Sequence, residues 1–163
     1  MKTTIIAIAA FSLVLMTAGT PLRASGTQGI DSAQRRPSGV VGVWNLVSLE
    51  HAGRNGGLEK ADCIGQFVFT ADGHVAVQVM YRNAGNTDSG STQYAQGGYE
   101  ATFGRYTVDD RTRTFTFHVE GALVRTLVGQ SLLRTFAFSG SQLIVEPANR
   151  DEHWRVVWER AQR

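Results

Sequence analysis

Three side chains in the second half of the sequence have the types and spacing for acid–base or charge chemistry: His118, Glu120 and Arg134. His118 and Glu120 stand two apart in the alternating run Thr114–Glu120, so a strand places them on one face. A histidine buried beside a carboxylate keeps its charge and can act as acid or base near neutral pH. Arg134 alternates with Leu132 and Phe136, which makes it a candidate buried cation awaiting a carboxylate, Glu120 included. The opposite parity, Phe115, Phe117 and Val119, is apolar. Either these aromatics are the core and His118 and Glu120 are solvated, as in an ordinary antiparallel sheet, or His118 and Glu120 face a lumen. No Ser/His/Asp arrangement or metal-ligand spacing accompanies them, so no catalytic set, metal or cofactor is assigned. None of the chain's histidines has specific support as an axial haem ligand.

A second group of candidates concerns binding. The run His74–Tyr81 sets Val75, Val77, Val79 and Tyr81 against His74, Ala76, Gln78 and Met80. Gln78 and Met80 pair a polar anchor with an adaptable apolar group, which suits a pocket wall. Tyr99, Phe103 and Arg105, with Tyr94, Tyr106 and Arg134, could serve an anionic or aromatic ligand. The expected ligand-binding set is therefore Gln78, Met80, Tyr99, Phe103, Arg105, His118, Glu120 and Arg134.

These residues need strands to position them. Tyr99–Val108 and Thr114–Val119 alternate at period two, are rich in Thr, Phe, Tyr and Val, and flank a short charged connector. Ile64–Thr70 and His74–Tyr81 form a second hairpin whose Asp72-Gly73 turn suits positive φ. Val40–Leu49, Leu127–Phe138 with a bend at Gly129, Gln142–Glu146 and His153–Arg160 complete eight strands. A helical turn is expected at Leu58–Ala61, and the unpatterned stretch Arg82–Gly97 is expected to gate a mouth. Eight short strands joined mostly by tight turns suit an all-β, up-and-down antiparallel barrel.

The start of the chain has a different grammar. Lys2, the apolar run Ile5–Met16 and small residues at Thr17–Gly19 and Ala24-Ser25 have the form of a secretory signal peptide, cut after Gly19 or Ala24. The apolar run is shorter than the ~20 residues of a membrane span, so no stable anchor is expected after cleavage. The expected organisation is signal peptide 1–24, disordered linker 25–39 and barrel 40–161, in a secreted or periplasmic protein. Removing residues 1–24 takes Lys2 and Arg23 and leaves fourteen basic residues against fourteen acidic ones. A neutral chain with no basic cluster beyond Arg35-Arg36 has no footprint for nucleic acid. The single cysteine, Cys63, rules out an intramolecular disulfide and reads as structural.

Several segments together resemble the bacterial lipocalin-like domain family. Gly42-Val43-Trp44 with Leu46-Val47-Ser48 is similar to the family's G-x-W-x-L-V-S opening. Ala71–His74, Phe103–Asp109, His118–Leu123, Gly129 with Arg134–Phe136 and Val157–Arg160 extend the match across 39–160. The chain departs from the pattern at Phe117, where members often have a second histidine, and at Val124–Thr126. The resemblance implies an eight-stranded calyx in which Trp44 plugs the closed end and Arg160, or Arg155, stacks over it.

The resulting expectation is an exported calyx, monomeric or a weak dimer, that binds a small, partly apolar molecule. The alternative is an isomerase, cyclase or lyase on the same barrel, using His118 with Glu120 or Arg134.

Overall fold

The computed structural model describes residues 39–53, 56–83 and 93–162. The segments read as signal peptide and linker lie outside these residues apart from Gly39, and so does most of the stretch expected to gate the mouth. Nine strands follow in order: β1 (Gly42–Ala52), β2 (Leu58–Lys60), β3 (Cys63–Phe69), β4 (His74–Tyr81), β5 (Tyr99–Asp109), β6 (Thr114–Ala122), β7 (Ser131–Ser139), β8 (Gln142–Pro147) and β9 (Trp154–Arg160). From β3 onward each strand pairs antiparallel with the next, and β1 pairs with both β3 and β9. The sheet thereby closes into an eight-stranded up-and-down barrel. Closure leaves those eight strands no free edges, the liability of any open sheet.

Two expected elements differ. Leu58–Lys60 is a strand, β2, rather than a helical turn; it pairs with Glu50–Ala52 of β1, beyond the residues of β1 that pair with β3. The backbone groups of β1 in that half would otherwise lack a partner on this side. The segment before β7 is a short 3₁₀ turn, Arg125–Leu127, so the strand begins at Ser131, and Gly129 (φ 84°) belongs to the connection. The Thr70–His74 turn is as expected: Gly73 takes φ 90°, and the Thr70 hydroxyl donates to the Asp72 carboxylate.

Two bulges decide which side chains enter the barrel. In β1 the register against β9 slips between Leu46 and Ser48, leaving Val47 as an extra, exposed residue. Without the slip, strict alternation would send Leu49 and His51 outward from a strand whose Trp44 points in. With it, Trp44, Leu49 and His51 are all buried. In β6 the register against β5 slips between Val119 and Gly121, and Glu120 is the extra residue.

The core is aromatic at the closed end. Phe67, Phe69 and Phe115 pack edge to face or tilted, with Phe69–Phe115 at 5.3 Å and 90°. Trp44 donates to the Val40 carbonyl at 2.7 Å. The Arg160 guanidinium lies 4.2 Å from the Trp44 ring and donates to the carbonyls of Val41 and Gly39 at 2.8 and 2.7 Å. Cys63, half-buried at the start of β3, has its thiol pushed up to about 11, by burial first and then by the charges of Asp62 and Glu100.

Candidate functional site

The strands differ in which parity they turn inward. On β6 the apolar parity faces inward: Phe115, Phe117 and Val119 are buried, while His118 and Glu120 are exposed. β4 behaves the same way, with Val75, Val77, Val79 and Tyr81 inside. β5 inverts the rule. Its aromatic parity, Tyr99 and Phe103, faces out, and its polar parity, Glu100 and Thr102, faces in. Pairing enforces the choice: Val79 lies opposite Glu100 and Val77 opposite Thr102, so each pair shares a face. Once β4 commits its valines to the core, β5 must turn Glu100 and Thr102 the same way.

The inward residues surround a cavity of about 70 Å³. At roughly 10–15 Å³ per water that is room for a few waters or one small organic molecule. Its wall is mostly apolar, with Phe67, Phe117, Leu132 and Val156 among the lining groups. Against this wall stand Glu100, Thr102, Arg134, Tyr94, Trp154 and Trp158.

Arg134 is only 6% exposed, yet it is well supplied with partners. It donates to the Tyr94 hydroxyl at 2.6 Å and pairs with Glu152 at 3.5 Å. Its guanidinium lies between two rings, 5.3 Å from Tyr94 and 4.9 Å from Trp154. The same Glu152 oxygen accepts from Tyr94 at 2.6 Å and from the Trp154 indole at 2.9 Å. Desolvation opposes the Glu152 charge, but these hydrogen bonds and the guanidinium outweigh it and hold the carboxyl below its ordinary range. Burial pushes the Tyr94 phenol up to about 12, so the hydroxyl keeps its proton and both donates and accepts. The buried cation is thus compensated.

The other polar groups are not. The Thr102 hydroxyl and the Trp158 indole N–H are buried and have no hydrogen-bond partner among the described residues. Desolvation pushes the Glu100 carboxyl up to about 7, and among the described residues the charge of Arg134 offsets this in part. The Thr102 hydroxyl and the Trp158 N–H therefore have unused hydrogen-bonding capacity in the wall of a mostly apolar cavity that Glu100 also lines. Buried polar groups without partners are uncommon in folded proteins and call for a specific explanation.

Of the eight residues expected as the ligand-binding set, the structure puts Arg134 alone in the cavity wall; Tyr94, named beside that set, also lines it. Gln78, Met80, Tyr99, Phe103 and Arg105 project from the outside of β4 and β5. Phe103 covers Gly121 on the outer surface, and Arg105 meets His74 at 3.1 Å. His118 bonds Ser131 at 2.9 Å on the outside, and Glu120 is the outward bulge residue. His118, Glu120 and Arg134 therefore do not converge. On β5 the aromatic residues Tyr99 and Phe103 were the ligand candidates, whereas the register with β4 turns the polar parity, Glu100 and Thr102, inward. Glu100, Thr102, Glu152, Trp154 and Trp158 were missed. The available clue was the strand of origin of Glu100 and Thr102: polar residues two apart, directly opposite two valines of the neighbouring hairpin.

A closed antiparallel barrel with an internal cavity and a mostly apolar, sparsely polar lining is a calyx. The chain belongs to the lipocalin-like domain family, which matches residues 41–161. No curated protein matches the chain significantly. Solved structures with a similar course include a lipocalin-like protein from Bacteroides uniformis (16% identity, 74% of this chain and 97% of that one, TM-score 0.45). Another is the lipoprotein YedD from Klebsiella pneumoniae (12% identity, 78% of this chain and 75% of that one, TM-score 0.42).

Proposed function

We propose that this is an exported binding protein that holds a small, partly apolar molecule in the calyx. The observation that carries this reading is the cavity of about 70 Å³ whose apolar wall is interrupted by the unpartnered Thr102 hydroxyl and Trp158 N–H. An interior evolved only to be filled would place apolar atoms there, because a buried polar group without a partner costs about 1–3 kcal/mol. A bound molecule that fills the cavity and accepts from these donors removes that cost. Export rests on the charged, apolar and small-residue pattern of residues 1–24.

The test is native mass spectrometry of protein purified from its host, combined with tryptophan emission, since Trp154 and Trp158 line the cavity. A retained small molecule, whose extraction changes tryptophan emission, is the expected result. A bare chain whose emission does not respond to any member of a small aromatic library would refute binding in the calyx.

A further inference from the structure

Glu100, half-buried in the cavity wall, is a carboxyl without an ion-pair partner among the described residues. Arg134, the cation nearest to it in effect, is already engaged by Glu152 at 3.5 Å, by the Tyr94 hydroxyl at 2.6 Å and by two aromatic faces. Redirecting it to Glu100 would take from the half-buried Glu152 its only cation among the described residues. The cavity next to Glu100 is walled by aromatic rings, among them Phe67, Phe115, Phe117 and Trp158. Ring faces attract cations, more strongly when water is excluded. Thr102 stands two residues along the same face and has lone pairs to offer.

We infer that the calyx selects a small amine with an apolar, single-ring body, its ammonium group donating to the Glu100 carboxylate and the Thr102 hydroxyl. This deepens the binding function proposed above and rests on it. An anionic ligand fits worse, because Glu100 would oppose it and Glu152 already holds the guanidinium. A neutral amide or alcohol would satisfy Thr102 and Trp158 but would offer no opposite charge to the Glu100 carboxylate once it ionises.

The inference has a pH signature. With the Glu100 carboxyl raised to about 7 in the free protein, an ammonium ion binds only after that proton leaves. The charged and titratable groups that interact with Glu100 are Arg134 on β7, with Glu152 and Tyr94 bound to it, and Cys63 on β3. Of these, the Tyr94 phenol and the Cys63 thiol are raised to about 12 and 11, while Glu152 is held low, so none changes charge between pH 6 and 8.

The experiment measures binding of benzylamine, benzamide and benzoate to the full chain by calorimetry at pH 6 and 8, with Glu100→Gln as the variant. The three probes share a ring and differ in head group. Expected are tightest binding of benzylamine, about tenfold tighter at pH 8 than at pH 6, and loss of that preference in Glu100→Gln with benzamide binding retained. Benzamide or benzoate binding as well as benzylamine, or benzylamine affinity indifferent to Glu100→Gln, would overturn the amine assignment while leaving a ligand-binding calyx. No binding by any of the three would overturn the amine assignment; a bare chain in the mass spectrum as well would remove the binding function itself.

Discussion

Replacing Glu100 with glutamine keeps the shape of the side chain and removes its titration, which isolates the energetic consequence of burying this carboxyl. The acid has an ordinary value of 4.5 and is pushed up to about 7 in the fold, by desolvation first, with Arg134 opposing. The folded state therefore holds a proton that the unfolded chain has released across this window. Stability must then fall as pH rises from about 4.5 to about 7, and the fall is complete above the folded value. The gap between the two values corresponds to about 3 kcal/mol, at roughly 1.4 kcal/mol per pH unit. Urea denaturation of wild type and Glu100→Gln at half-unit steps from pH 4.5 to 8 reads this directly. The difference between the two proteins should move by about 3 kcal/mol in the variant's favour, with the change centred between the two values. Other titrations cancel in the difference. A stability difference that stays constant across the range would show that Glu100 is not desolvated as its place in the wall requires, and the polar corner of the cavity would lose its basis.

Thr102→Val exchanges the unpartnered hydroxyl for a methyl of the same shape and should raise stability by about 1 kcal/mol; a decrease in a denaturation experiment would reveal a partner for the hydroxyl. Glu152→Gln should cost about 3 kcal/mol, because it leaves the buried Arg134 charge unpaired, and Arg134→Met less, because the half-buried Glu152 keeps its bonds from Tyr94 and Trp154. The double variant should cost clearly less than the sum, and strict additivity in the cycle would refute the pairing. Arg160→Ala removes the guanidinium over Trp44 and its bonds to two carbonyls, and should lower stability by about 1–3 kcal/mol and the Tm by several degrees. An unchanged melting temperature would show that the residue does not seal the closed end.

The strand inventory was legible in the sequence because alternation, β-branched and aromatic enrichment and Gly-containing turns are local properties. His74–Tyr81, Thr114–Val119 and the Asp72-Gly73 turn all formed where local chemistry put them. On β4 and β6 the purely apolar parity is the inner one, yet the expected binding residues Gln78, Met80, His118 and Glu120 came from the other parity. Alternation shows which residues share a face and not which face is inside. Leu58–Lys60 was not legible as a strand, since a three-residue strand is defined by its partner on β1 and has almost no pattern of its own.

The candidate site was mostly hidden. Arg134 announced itself by alternating with Leu132 and Phe136. Its partners, however, come from the loop before β5 and the loop before β9, 40 residues from Arg134 for Tyr94 and 58 residues from Tyr94 to Glu152. Nothing in local pattern links such positions. Period-two alternation fixes which residues share a face, and so Glu100 with Thr102 and Tyr99 with Phe103 were determined by the chain alone. Which of those two faces looks inward was decided by pairing with β4, and where the alternation resets was decided by the bulges at Val47 and Glu120 that closure demands.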